Sequence, residues 1–391
     1  MNLQGEQEVL ASMKSEGLDP VVSVMKAAVY HGVRDVRVEE VPVPSPGPQD
    51  VLLEVCAVGI CGTDAHEVQA GPHMFPINTP HPVSEHVGPM VMGHEIAGRI
   101  VAKGAKVKSF REGELVVTGA GVSCRECVQC RRGRTSLCER YWTIGLQRNG
   151  GLAEFVTSPA DICFSADSYG LSEDLAGISQ PMSIAVHAAT RARLTNQDEV
   201  VILGAGGIGA FLVHAAATMT DTIGVVDLSA ERLAIAEKNG ATFTAQLSDD
   251  FDVAAVKSEW GIRPTVIFEV SGTPQGLAAA FEWLEPGGRL VMVGIQAGSG
   301  DMDFRRLSLI EHEVIGTNGH VARDDFPRAL EMLASGGAWS DIAPDVLPLD
   351  LVMSDGLLPM IEKRAKRIKT LFDPRIETTR KSEMRLLRKK Q

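Results

Sequence analysis

From Met25 onward, short apolar stretches alternate with turn residues. Lys26–Tyr30 reads as a first strand. VPVPSPGPQD is a proline-rich turn, and it leads into the apolar strand VLLEVCAVGI. Up to about Phe155 the same grammar continues and predicts an irregular, mostly β unit. The pattern changes near Gln180. A helical stretch, AVHAATRARL, introduces a regular alternation. Strand Val200–Leu203 is followed by the Ala-rich helix Ile208–Met219. Strand Ile223–Asp227 is followed by a helix around Glu231–Lys238, and later strands fall at Val266–Val270, Leu290–Val293 and Val314–Ile315. Near-continuous apolar strands alternating with helices predict a parallel sheet covered on both faces. From about Val321 the chain reads as helices and short strands.

Composition narrows this picture. The 391 residues are 44% hydrophobic and 23% charged, enough for a large core and for two domains. The net charge of -12 lacks the basic footprint of a nucleic-acid binder. No apolar run reaches the roughly 20 residues of a membrane-spanning helix. The start, MNLQGEQEVLASMKSEGLDP, lacks the charge and apolar pattern of a secretory signal. The expectation is a cytoplasmic protein with no membrane or nucleic-acid partner. Its seven cysteines are then reduced, and clustered ones read as metal ligands. Residues 1–24 read as an extension, since MKAAVYHG resembles a fresh beginning. At the other end, Arg375 to Lys390 carries seven basic and two acidic side chains and is expected to be a solvated tail.

VVILGAGGIGA places Gly204, Gly206 and Gly209 in a G-x-G-x-x-G pattern, after an apolar strand and at the opening of a helix. The first glycine allows the tight turn, the second lets backbone approach a pyrophosphate, and the third lets helix pack on strand. With Gly207 and Ile208 between them, they bring the N-terminal amides of the helix to the phosphates. Asp227 ends the next strand, where a carboxylate accepts ribose hydroxyls and repels an added phosphate, so NAD is expected. Arg232 either lies over the adenine or is an ordinary helix-surface charge.

Cys124, Cys127, Cys130 and Cys138 are spaced C-x2-C-x2-C-x7-C. Four thiolates on one loop close a tetrahedral zinc site and leave no place for substrate, which makes such a site structural. An iron–sulfur cluster is the rival, though the spacing departs from common ferredoxin runs. Apart from that lobe stand Cys61, in GICGTDAH, and His94 with Glu95, in GHE. Their mixed softness suits zinc, and an open position on zinc would polarise an alcohol oxygen. Cys56 and Cys163 read as buried structural thiols. His73, His81 and His86 read as surface residues of a Pro-rich loop.

With CGTDAH, GHE, the four-cysteine lobe, GAGGIG and Asp227 in this order, the chain resembles the zinc-containing medium-chain alcohol dehydrogenases from about Met25 to Pro374. The resemblance implies an α/β fold: a Rossmann doubly wound parallel sheet plus a GroES-like β-barrel catalytic domain. The expected division is an extension at 1–24 and a catalytic domain at 25–181 with its lobe at 121–140. The NAD domain follows at 182–320, and catalytic residues with the basic tail at 321–391. The resemblance further implies one catalytic and one structural zinc. Cys61 and His94 hold the catalytic ion, and Glu95 is a ligand at all times or only while the coordination shell exchanges. Thr63 takes a proton from the alcohol, His66 passes it towards solvent, and Asp64 orients the His94 ring.

The family's remaining ligand position falls in Ser179-Gln180-Pro181-Met182-Ser183. Alcohol dehydrogenases proper have Cys there, and polyol, butanediol and threonine dehydrogenases have Glu. Gln180 is a neutral donor, which some sugar dehydrogenases of the family share. It is open to direct ligation, to support of a ligand, or to substrate contact. FPINTPHPVSEHVGPMVMGHE resembles the loop of the butanediol branch. The implied activity is hydride transfer between NAD and a secondary alcohol or its ketone, a vicinal diol or polyol such as 2,3-butanediol or sorbitol. A glucose-type sugar dehydrogenase is the alternative. A zinc-free enone or quinone reductase and a silent NAD-binding protein are remoter ones. Family members are homodimers or homotetramers, and Leu290–Val293 with its neighbours is the expected place for a sheet to continue across the interface.

Overall fold

The computed structural model describes residues 23–248, 251–296 and 304–387. Residues 1–22 of the expected extension and the last four residues of the basic tail lie outside them, and Val24, placed in the extension, already opens the first strand Val24–Gly32. Among the described residues, one mixed eight-stranded sheet is built around the long strand Asp50–Ile60. That strand pairs antiparallel with Glu95–Lys103, Phe155–Pro159 and Thr370–Phe372. Register shifts in the first pairing bend it, as bulges do in barrel-like sheets. Its apolar residues are buried on both faces, including Val51, Leu53, Val55, Val58 and Ile60.

The second large sheet has six strands, all parallel. In spatial order they are Phe243–Gln246, Thr222–Asp227, Glu199–Leu203, Val266–Glu269, Arg289–Met292 and Glu313–Gly316. Numbered along the chain this is order 3-2-1-4-5-6, the doubly wound arrangement, which places a ligand crevice at the carboxyl ends of the first and fourth strands. The expected strands stand within a residue or so of their predicted bounds. Phe243–Gln246 was not anticipated. It is a short edge strand, half-buried from Phe243 to Ala245 and exposed at Gln246, so it lacks the apolar run that marks its neighbours. Arg289–Met292 lies inside the sheet, paired on both sides. On that side the sheet ends at Glu313–Gly316, the neighbour of this strand.

Two helices cross between the sheets. The bridge helix Ser179–Ala192 packs on the return helix Ala322–Ala334. Both bury apolar faces in one core that also takes Phe211, Trp339 and Leu371. His187 on the first and Asp325 on the second are buried, 2.9 Å apart from Nδ1 to Oδ2. Pairing suits both, because a buried charge without a partner is costly.

As far as Leu387, the C-terminal tail is docked rather than free, which corrects its reading as a solvated terminus. Arg380–Lys381 pairs with Asp345–Leu347, and the Leu387 amide donates to the Gly170 carbonyl at 2.6 Å. Arg375 and Arg380 are mostly covered and meet carboxylates, Arg380 forking onto Asp174 at 2.6 and 2.8 Å, whereas Lys381 and Arg385 touch Asp345 and Glu383 but stay largely exposed.

Candidate metal and dinucleotide sites

The long strand ends at Ile60, and Cys61 caps the helix Gly62–Ala70 that follows. The Cys61 sulfur accepts the Thr63 amide at 3.3 Å, while the Asp64 carboxylate accepts the Cys61 amide at 2.9 Å. This reciprocal cap fixes the thiol at the sheet's end. His94 and Glu95 open the neighbouring antiparallel strand, so register brings them alongside. Glu95 stands opposite Gly59. The His94 Nε2 lies 3.2 Å from the Cys61 sulfur, and donor atoms of Cys61, His94 and Glu95 all lie within 4.8 Å of one another. On the far side of the ring, Nδ1 stands 3.7 Å from Asp64 Oδ1, and neither atom has a hydrogen-bond partner.

The electrostatics invite a cation. Burial lowers the proton affinity of His94, but Cys61 and then Asp64 outweigh it and push the imidazole up to about 10. A dipositive ion between thiol and ring would answer the same field that draws a proton there, so the residues fit zinc.

Glu95 has a partner that sequence reasoning missed. Its carboxylate oxygens lie 2.6 and 2.8 Å from Lys369 Nζ, and both side chains are buried. Lys369 also donates to the Ile60 carbonyl at 3.2 Å. The carboxylate fits because Gly59 has no side chain: a Cβ there would stand 2.1 Å from Glu95 Oε2. Thr63 is half-buried and His66 is exposed, three residues apart on the same helix face.

Gln180 stands in the first turn of the bridge helix, 9% exposed. The Ser183 hydroxyl donates to the Gln180 carbonyl at 2.6 Å and faces His320 Nδ1 at 3.1 Å. His320 Nε2 in turn donates to the Gly119 carbonyl at 2.7 Å. His320 is fully buried, and burial pushes it down to about 4, so it stands neutral.

The four lobe cysteines also bring their sulfurs within 4.8 Å of one another. Backbone amides point at them: Cys127 at Cys124 (3.3 Å), Cys130 at Cys127 (3.5 Å), Cys124 and Arg140 at Cys138 (3.2 and 3.3 Å). Burial resists ionisation of Cys124, yet the amide of Cys127 and the surrounding donors bring it down to about 6. Burial pushes Cys130 up to about 12. Four thiolates this close need a cation, so this set fits a fully ligated structural zinc. Among the described residues these are the two groups of metal-ligating side chains.

At the glycine loop each glycine has a distinct reason. Gly204 adopts φ +105°. A Cβ on Gly209 would stand 1.9 Å from the Gly204 carbonyl oxygen, whereas Gly206 and Gly207 face open space to 3.8 Å. The gap is where a pyrophosphate would approach. Asp227 is buried and accepts the amides of Ala205 at 2.7 Å and Ser229 at 2.9 Å. The Arg232 guanidinium stands over Gly206, 3.7 Å from Asp227 Oδ1.

Of the bland readings, Cys56 and Cys163 are buried and His73 is exposed. His81 and His86 are half-buried in that loop, where the His81 ring accepts the Ser84 amide at 3.1 Å.

Comparison with known proteins places this geometry. Residues 47–168 match the alcohol dehydrogenase GroES-like domain, and residues 207–335 match the zinc-binding dehydrogenase domain. The (R,R)-butanediol dehydrogenase of Bacillus subtilis is 30% identical over 354 residues, 90% of this chain and 100% of that protein. Sorbitol dehydrogenase of the same organism is 31% identical over 317 residues, covering 80% of this chain and 86% of the relative. A crystal structure of 2R,3R-butanediol dehydrogenase from Bacillus subtilis superposes with a TM-score of 0.81 at 29% identity, over 90% of this chain and 99% of that one. No helix among the described residues is long and apolar enough to cross a membrane. The chain therefore belongs to the zinc-containing medium-chain alcohol dehydrogenase family, near its polyol branch, and is an oxidoreductase.

Proposed function

We propose that this enzyme oxidises a vicinal diol or polyol with NAD as hydride acceptor, or reduces the matching ketone with NADH as hydride donor, and uses a catalytic zinc at Cys61 and His94. The observation that carries the reading is the convergence of Cys61, His94 and Glu95 at the end of the long strand. The catalytic part is read as residues 25–181 with 321 onward, and the NAD-binding part as 182–320. A second zinc in the cysteine lobe has a structural task.

Zinc bound there would supply Lewis acidity towards the substrate oxygen. The chain's own groups do the rest. Thr63 relays the released proton, taking it up as its own hydroxyl proton passes on, and His66, exposed one helical turn on, takes that proton and hands it to solvent. The glycine loop holds the pyrophosphate at a helix N-terminus. Asp227 favours NAD, because a ribose phosphate would meet a buried carboxylate. Arg232, beside that carboxylate, is then a lid over the adenosine rather than a phosphate clamp.

Charge balance gives Gln180 a reason. Glu95 and Lys369 neutralise each other. A dipositive ion would be matched by the Cys61 thiolate and by Asp64 behind His94. A neutral ligand or near-ligand at Gln180 leaves this buried set balanced, whereas a carboxylate would add an uncompensated charge. The open edge Glu313–Gly316, with Val314 38% exposed, is the surface through which two copies would join as a homodimer, or as part of a homotetramer.

The test is a screen of NAD reduction across butanediol stereoisomers, sorbitol, threonine, glucose and simple alcohols. Turnover highest with a vicinal diol or polyol is expected. Turnover confined to glucose-type sugars, or to enones without zinc, would replace the reading.

A further inference from the structure

The expected solvated tail holds three catalytic elements together. Three consecutive residues just ahead of Gln180 are gripped by it. Ser172 donates its amide to the Arg385 carbonyl at 3.0 Å and accepts the Arg385 amide at 3.3 Å. Glu173 meets Arg375 at 2.7 Å. Asp174, buried, takes the Arg380 fork and the Glu383 amide at 2.6 Å. Asp373, also buried, ties Arg375 to Arg380, at 2.8 and 3.3 Å.

The same cluster reaches the two strands that carry the metal-site residues. Glu173 accepts Arg99 at 2.8 Å, and Arg99 lies on the strand that begins with Glu95. Arg375 donates to the Cys56 carbonyl at 3.4 Å, and Cys56 lies on the strand that delivers Cys61. The turn between Asp174 and Gln180 has no slack: a Cβ on Gly177 would stand 2.7 Å from Ala57 Cβ. The bridge helix has no side-chain cap at its start, so its first turn depends on what precedes it.

We infer that residues Arg375–Leu387 act as a brace that positions the first turn of the bridge helix, and with it Gln180, against the Cys61 and Glu95 strands. Arg380 and Arg375 are positioning residues, acting through Asp174 and Glu173 and touching no substrate. Their planar forks suit the task, because paired charge-assisted hydrogen bonds fix direction as well as distance. The role of Gln180 at the metal rests on the proposed dehydrogenase reading. The mechanical claim about the helix turn does not.

The experiment uses the full chain with Arg380→Ala, Arg380→Lys and the milder Ser172→Ala. Hydrogen exchange is followed peptide by peptide, and release of zinc to a chromogenic chelator is followed in time. Arg380→Ala is expected to speed exchange in 172–184 by at least about tenfold, as loss of a charged hydrogen-bonded fork implies. Residues 124–138 and 204–209 should keep their protection. One zinc per chain should leave about tenfold faster while the second is unaffected, and kcat should fall with little change in the KM for NAD. Arg380→Lys should recover part of each effect, and Ser172→Ala should show a smaller version of them. Unchanged exchange in 172–184, or faster exchange spread evenly over the whole chain, would overturn the brace, and if Arg380→Ala does not fold, Ser172→Ala decides on the same terms. Faster exchange at 172–184 in a protein that reduces no NAD would leave the brace standing and remove the dehydrogenase reading.

Discussion

Glu95 is the residue on which most of the local physics converges. It is buried, it begins a strand beside Cys61 and His94, and Lys369 holds both its oxygens. Removing one member of a buried pair costs more than removing both, because the survivor is left charged and dry. Lys369→Met is therefore expected to destabilise the metal-free protein by about 3–5 kcal/mol in urea unfolding. Lys369→Met combined with Glu95→Gln should recover much of that loss, and equal losses in single and double variants would refute the pairing. Gly59→Ala attacks the same carboxylate sterically, since the added Cβ would lie 2.1 Å from Oε2. A cost of about 1–3 kcal/mol is expected from overpacking, with reduced turnover as Glu95 is displaced. Neither partner was visible in the sequence reading. Cys61, His94 and Glu95 sit in short motifs, whereas Lys369 is 274 positions from Glu95 and carries no motif of its own.

At the scale of elements, the bridge helix touches both the strand Glu95–Lys103 and the parallel sheet. Gln180, Ser183 and His187 share one face, and the last two meet His320 and Asp325. His320 is held neutral, with its folded pKa of about 4 below the ordinary 6.5 because of burial. Below pH 6.5 the unfolded chain binds this proton more readily than the folded one, so stability is complete above that pH and falls as pH drops towards 4. The loss from this group reaches about 3 kcal/mol at most. Urea melts at pH 7.5 and pH 5 should show a smaller difference for His320→Gln than for the parent; an identical difference would contradict the account. Elements with uninterrupted apolar runs, such as Val266–Glu269 and Glu199–Leu203, were legible because both faces are buried. Phe243–Gln246 was not, because at an edge neither face demands a pattern.

For the whole molecule, charge read as a tally misled where charge read in place does not. The basic tail looked solvated because its acidic partners, Glu173, Asp174 and Asp373, lie far away in sequence or were counted in the general acidic excess. The parallel sheet was legible from periodicity and the first unit only as mostly β, because the pairing that closes the mixed sheet, Thr370–Phe372 on Val58–Ile60, joins distant parts of the chain that no local pattern connects. The exposed edge Glu313–Gly316 makes a specific prediction about assembly. Val314→Lys should lower the solution mass measured by light scattering towards a single chain, since a charge on an exposed edge opposes strand pairing. An unchanged oligomer would move the interface elsewhere.

The central claim is that alcohol oxidation depends on a zinc held by Cys61, distinct from the zinc in the cysteine lobe. It is tested most directly by counting bound zinc and measuring NAD reduction on the same samples of the parent and of Cys61→Ser. The account predicts one zinc fewer per chain, a retained lobe zinc and a loss of turnover of at least about a hundredfold, in keeping with removal of an electrostatic catalyst. Full activity in Cys61→Ser, or equal zinc content in the two proteins, would contradict it.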